Sequence, residues 1–235
     1  MEYSIFAHRG ITTDGYIENT LDSLNAIKQY QCTKFIKYGV EFDVQQISSG
    51  EIVCYHDKTL NRLHGISKDV SHLTNEEVIE YKIPYLKDIF AAFANTNYSL
   101  DIEIKSYEHD IDESKICNTI YDLITTMNLT HNCIISSFST NIVKYMITNH
   151  SDIPTALLTD AEISDELLDE MVNLGLNSIA INKNQYMCAD RYISKNLTLM
   201  IYTLFNKNSA NDNDIINFLS KYKGVVYITD KMFSF

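Results

Sequence analysis

Short apolar runs separated by longer amphipathic stretches set the rhythm of this sequence. Runs rich in β-branched and aromatic residues predict strands over 3–8, 39–44, 98–105, 132–136, 153–158, 178–181, 197–203 and 224–229. Between them, apolar residues recur at helical spacing. Leu21, Leu24 and Ile27 form one stripe, which predicts a helix over 19–30 with Asn19 as its N-cap. The same periodicity predicts helices over 86–94, 114–127, 140–149, 165–174 and 213–222.

A chain that alternates strands with helices in this way reads as α/β, a (β/α)8 TIM barrel, with a doubly wound open sheet as the alternative. Its 235 residues suit one such barrel, and with 7 Gly and 2 Pro there is no linker to mark a boundary, so a single domain over 1–235 is expected. Two irregularities stand out. Residues 51–55 read as an extra extended segment after the second strand, and the chain stops at Phe235, which predicts an incomplete closing helix.

Composition narrows the partners. A hydrophobic share of 45% with 21% charged residues is ordinary for a globular chain. The formal net charge of −12 would repel a phosphate backbone, so no nucleic-acid partner is expected. Five cysteines, Cys32, Cys54, Cys117, Cys133 and Cys188, lie far apart with no CxxC pair, which argues against zinc or a disulfide framework and for a reducing compartment. No run approaches a membrane span and no signal core follows Met1, so a cytoplasmic location is expected.

Two strands break the apolar rule of a barrel. In 39–44 the period of two sets Val40, Phe42 and Val44 against Glu41 and Asp43, and in 100–105 Asp101, Glu103 and Lys105 oppose Leu100, Ile102 and Ile104. Either these are amphipathic strands of a half-solvated sheet, or Glu41, Asp43 and Glu103 point into the barrel mouth. Gathered carboxylates would protonate unless a cation offsets them, and a hard ion, Mg²⁺ or Ca²⁺, suits oxygen ligands. His8 and Arg9 end the first strand, and His56 follows the extra segment. Paired imidazoles suit acid–base chemistry, and Arg9 with Lys105 beside carboxylates suits an anionic, phosphate-bearing small molecule. His64, His72, His109, His131 and His150 read as structural, and the 16 Tyr and 10 Phe as core and surface filler rather than a choline cage.

Six ordered motifs resemble the glycerophosphodiester phosphodiesterase family. They are His8-Arg9-Gly10, Glu18-Asn19-Thr20, Glu41-x-Asp43, His56-Asp57 with Leu60-Asn61-Arg62, Ile83-Pro84-Tyr85-Leu86, and Ile102-Glu103-Ile104-Lys105. Ser136-Ser137-Phe138 and Thr229-Asp230 are weaker later signatures. The resemblance implies an enzyme that hydrolyses glycerophosphodiesters to glycerol 3-phosphate and an alcohol. It implies Glu41, Asp43 and Glu103 as ligands of the divalent cation, His8 and His56 as the catalytic acid–base pair, Arg9 and Lys105 on the substrate phosphate, and Glu18 in support. It also implies attack by the neighbouring glycerol hydroxyl, a cyclic phosphate, and its opening by water.

The chain departs from the family pattern at Ile17, where proline is frequent, and in Tyr202-Thr203-Leu204-Phe205-Asn206, which bears on the pocket for the alcohol. About 26 residues separate Asp57 from Ile83, too few for a large insertion over the mouth. A lysophospholipase D or phospholipase C-like lipid phosphodiesterase is the neighbouring reading. A catalytically silent barrel that binds a phosphorylated ligand is the reading from another class. The sequence leaves the oligomeric state open.

Overall fold

In the computed structural model, which describes residues 3–13, 15–107, 112–205 and 211–233, the apolar runs pair into a nine-stranded sheet. The strands are β1 (Tyr3–His8), β2 (Ile36–Gln46), β3 (Ile52–Cys54), β4 (Ser99–Ile104), β5 (Cys133–Ser137), β6 (Thr155–Thr159), β7 (Ser178–Asn182), β8 (Thr198–Leu204) and β9 (Val226–Thr229). All neighbours pair in parallel except β3, which folds back antiparallel on the end of β2 with Val44 opposite Cys54. Because β1 pairs with both β2 and β9, the other eight strands close into a barrel, and the open-sheet alternative is excluded. β3 is the extra extended segment foreseen after the second strand.

Helices α1 (Leu21–Asn25), α2 (Asn61–His64), α3 (Asn75–Glu80), α4 (Leu86–Phe93), α5 (Glu113–Thr126), α6 (Thr140–Asn149), α7 (Asp165–Leu174), α8 (Ala189–Ile193) and α9 (Asp212–Leu219) occupy the connections. Their apolar faces pack against outward strand residues such as Val40, Phe42, Ile102 and Ile135. The inside of the barrel is filled by a separate cluster that includes Phe6, Leu158, Met200 and Ile228. Parallel strands buried on both faces need these two apolar layers, which is why Glu41, Asp43, Asp101 and Glu103 stand out on the inner face.

Two expectations, the extent of the first helix and its cap, need correction. The helix over 19–30 is shorter: α1 ends at Asn25 and Ala26–Gln29 continues as a 3₁₀ turn. Its N-cap is Thr20, whose hydroxyl accepts from Ser23 N while Ser23 Oγ accepts from Thr20 N; Asn19 stands outside the helix at φ 57°. The stretch from 55 to 85 also carries two short helices, α2 and α3, packed on a small cluster with Leu60, Val70, Leu73 and Val78. After β9 no helix follows among the described residues; Phe233 instead packs against Phe205 and Tyr227. His109 and Asn206, both singled out in the sequence, lie outside the described residues.

Candidate active site

Strand register assembles the acidic cluster. His8 of β1 lies opposite Glu41 of β2, Glu41 lies opposite Asp101 of β4, and Asp43 lies opposite Glu103. One carboxylate oxygen each from Glu41, Asp43 and Glu103 lies within 4.8 Å of the others, and all three residues are buried. The structure thus brings together the three carboxylates singled out in the sequence, at the C-terminal end of the barrel where βα loops build sites.

Donors surround Asp43, which is 1% exposed. Lys105 Nζ lies 2.8 Å from its Oδ1, Asn19 Nδ2 donates to Oδ2 at 2.8 Å, and Arg9 Nε lies 3.4 Å from Oδ2. The backbone N–H of Asp43 donates to Asn19 Oδ1 at 3.2 Å. Burial alone would raise the Asp43 carboxyl, but Lys105, Arg9 and His56 outweigh it and hold the group down at about 2. Glu103 receives a hydrogen bond from Lys105, yet burial and the charge of Asp43 push it up to about 7. Glu41 is raised well above its ordinary range by burial and by Asp43, Glu103 and Asp101. The backbone N–H of Arg9 donates to Glu41 Oε2 at 3.0 Å, and Oε1 has no hydrogen-bond partner among the described residues.

A buried carboxylate oxygen without a donor, facing two other carboxylates, is the arrangement a hard divalent cation satisfies. The donor set therefore fits Mg²⁺ or Ca²⁺. Lys105 and Arg9 supply the positive charge in the metal-free arrangement.

Each candidate histidine is held by a carboxylate. His8 Nδ1 lies 2.7 Å from Asp230 Oδ1, across the β1–β9 seam that closes the barrel. His56 Nδ1 lies 2.7 Å from Asp57 Oδ1. A carboxylate on Nδ1 fixes the neutral tautomer with Nε2 as proton acceptor. Burial lowers the His56 pKa despite the nearby Asp43. The backbone here is pinned as well: Gln45 Nε2 donates to the carbonyls of Tyr55 at 2.8 Å and Asp57 at 2.9 Å, and the Tyr107 hydroxyl donates to that of His56.

Arg62 joins the two sides of this site. Its Nε donates to Asp57 Oδ2 at 2.6 Å, and its NH1 and NH2 groups donate to both oxygens of Glu18 at 2.9 and 2.6 Å. Glu18 Oε1 also accepts from Arg9 NH1 at 2.9 Å. Gly10, at φ +83°, lets the chain turn under this layer, since a Cβ there would lie 2.6 Å from the Ser23 carbonyl carbon. Deeper in the barrel, Ser136 Oγ donates to Asp101 Oδ1 at 2.7 Å, and burial pushes Asp101 up to about 7. His64 and His150 lie away from the cluster: His64 sits between Tyr55 and Tyr81, and His150 stacks on Tyr121 at 3.9 Å.

The site residues that sequence reasoning missed are orienting groups. By position Asn19 reads as a helix cap, and the motifs that contain Asp230, Asp57 and Arg62 give them no role. His56-Asp57 adjacency was a usable signal for one of them. The His8–Asp230 contact spans 222 positions and has no local signature.

The model of the Glycerophosphoryl diester phosphodiesterase family matches residues 8–232, and the chain belongs to that family. A human protein named Glycerophosphodiester phosphodiesterase 1 is 26% identical over 169 residues, which cover 66% of this chain and 48% of that protein. The chain spans about half the length of the first curated relatives it matches. Among solved structures, a glycerophosphodiester phosphodiesterase from Parabacteroides distasonis superposes with TM-score 0.79 at 21% identity, covering 97% of this chain and 93% of that one. A phosphodiesterase from Oleispira antarctica in complex with sn-glycerol-3-phosphate superposes with TM-score 0.78 at 18% identity, over 97% of this chain and 92% of that one. At these identities the structural likeness establishes the shared barrel.

Proposed function

We propose that this chain hydrolyses glycerophosphodiesters to glycerol 3-phosphate and an alcohol, with Glu41, Asp43 and Glu103 holding one divalent cation, Mg²⁺ or Ca²⁺. The observation that carries the reading is the meeting of three buried carboxylates, two of which, Glu41 and Glu103, line a pocket of about 270 Å³ together with Arg9, Lys105 and the carboxylate-held imidazoles of His8 and His56. Family membership and the product-bound relative support the same substrate class. When bound, the ion supplies a positive charge that stabilises the phosphoryl oxygens as negative charge builds on them.

The side chains do the rest. Arg9 and Lys105 orient the phosphate and share its charge. In the first step the glycerol hydroxyl next to the phosphoester attacks phosphorus, one of His8 and His56 takes its proton at Nε2, and the other gives a proton to the departing alcohol oxygen. A cyclic phosphate results. In the second step the two imidazoles exchange roles: the one left neutral takes a proton from water, and the one left charged protonates the glycerol oxygen as the ring opens. Asp230 and Asp57 hold the tautomers in which this works, while Glu18 and Arg62 fix Arg9 and Asp57.

Among the described residues no helix is long and apolar enough to cross a membrane, and all five cysteines are free thiols. These features support action on a small diester in a reducing compartment such as the cytoplasm, where the product would be recovered from deacylated phospholipids. The test is release of glycerol 3-phosphate from a panel of glycerophosphodiesters and lysophospholipids by the wild type, His8→Ala and His56→Ala. Release by the wild type and its loss in both variants supports the reading. A folded wild type that releases nothing favours the silent phosphate-binding barrel, and release from lysophospholipids alone favours the lipid phosphodiesterase.

A further inference from the structure

The groups assigned to hydrolysis come from β1, β2 and β4, the turns that follow β1, β3 and β4, helix α2, and Asp230 after β9. The opposite arc of the mouth, formed by the ends of β5 to β8, has no part in that chemistry, yet it has a definite composition. Phe138 follows β5, Asp160 follows β6, Asn182 ends β7 and Tyr202 lies near the end of β8. The Tyr202 hydroxyl donates to Asp160 Oδ1 at 3.0 Å, and Asn182 Nδ2 reaches the same oxygen at 3.4 Å. The Phe138 ring, 45% exposed, meets the Tyr202 ring edge-on at 6.2 Å. Phe138, Asp160 and Tyr202 line the same pocket as His8, His56 and Lys105.

Among the described residues no cationic side chain pairs with Asp160, and both donors to it use Oδ1. A carboxylate anchored by two neutral donors on one oxygen leaves the other oxygen for a ligand. The exposed aromatic ring beside it offers the negative face of a quadrupole. The pocket therefore has two poles: Arg9 and Lys105 at one side, and an aromatic wall with one carboxylate at the other. A polyol would need several donors and acceptors around it, whereas a compact cation needs this combination.

We propose that Phe138, Asp160 and Tyr202 form a subsite for the ammonium group of the leaving alcohol, so that the chain selects glycerophosphodiesters of amino alcohols over neutral or anionic ones. The inference rests on the hydrolysis proposed above, in the same pocket. Tyr202 acts partly as a positioning residue, because its hydroxyl fixes Asp160. The aromatic residues that read as filler in the sequence thus acquire a role at this one place, through the strand ends that bring them together.

The experiment compares glycerophosphocholine with glycerophospho-3,3-dimethylbutanol, the ester in which carbon replaces the quaternary nitrogen and the shape is kept. Wild-type kcat/KM should favour the charged ester by roughly tenfold, the order expected of a cation on one ring and one carboxylate. Asp160→Asn and Phe138→Leu should bring the ratio toward one, and Asp160→Glu should keep most of it. Because each ratio compares two esters on one protein, partial loss of folded material does not move it. Hydrolysis of both esters with a wild-type ratio near one, or a ratio unchanged in Asp160→Asn, would overturn the subsite while leaving the hydrolase reading intact. Hydrolysis of neither ester would instead count against the hydrolase reading. The subsite is then read from calorimetric Kd values for the same pair: a tenfold preference lost in Asp160→Asn supports it, and equal values overturn it.

Discussion

The Lys105 ammonium lies 2.8 Å from Asp43 Oδ1 and also hydrogen-bonds Glu103, so one buried cation serves two of the three clustered carboxylates. Replacing Lys105 by Met leaves Asp43 buried with one fewer partner, which should destabilise the metal-free protein by about 3 kcal/mol. A bound divalent ion would replace much of the missing charge. Urea denaturation should therefore show a large loss without ion and a smaller one with saturating Mg²⁺ or Ca²⁺; equal losses would contradict this role.

Proton linkage gives the acidic cluster a pH signature. Glu103, raised to about 7, and Glu41, also raised well above its ordinary range by burial and its acidic neighbours, keep protons in the folded metal-free state that the unfolded chain sheds near pH 4.5. The folded state then binds more protons between these values, so their contribution to stability falls as pH rises from about 4.5 through 7. Asp43 behaves oppositely: its contribution is present above pH 3.8 and is lost as pH falls toward about 2. Divalent-ion affinity measured by calorimetry should rise from pH 6 to 8, with proton release on binding at pH 6. A flat affinity across that range would count against the carboxylates as ligands.

The two orienting aspartates should matter nearly as much as the histidines. Asp230→Asn and Asp57→Asn each remove the acceptor that holds Nδ1–H, and kcat on a glycerophosphodiester should fall by roughly 100- to 10,000-fold with little change in KM. Arg62→Ala acts one contact further out, through Asp57 and Glu18, and should cost less. An Arg62→Ala loss exceeding that of Asp57→Asn would show that Arg62 touches substrate.

Gly10→Ala tests the turn beneath Arg9. The φ of +83° and the 2.6 Å approach to the Ser23 carbonyl carbon leave no place for a methyl group. A loss of at least about 2 kcal/mol is expected, which for a chain of this size lowers Tm by roughly 4 to 8 °C. An unchanged melting curve would show that the Ser23 segment yields easily.

The barrel was legible because its strands and helices alternate with distinct periods, and the acidic cluster was legible because charges on strands that a closed parallel barrel buries on both faces need a reason. What escaped was contact between distant segments. Asn19 looks like a helix cap by position, yet its φ of 57° turns its amide onto Asp43, and Thr20 takes the cap with Ser23 as its reciprocal partner. Asp230 reaches His8 only because β9 closes against β1. Ser136 and Asp101 meet because their strands run side by side. Local pattern names the residues that carry charge, whereas barrel closure decides which of them touch.

Metal-dependent hydrolysis is tested most directly by glycerol 3-phosphate release from glycerophosphocholine and glycerophosphoethanolamine by protein stripped with EDTA and then given Mg²⁺ or Ca²⁺. Stripped protein should be inactive, one of the two ions should restore turnover, and Glu41→Gln, which lacks the carboxylate whose Oε1 has no partner among the described residues, should stay folded but not be restored. Full turnover by the stripped wild type, or restoration of Glu41→Gln to the wild-type rate, would contradict it.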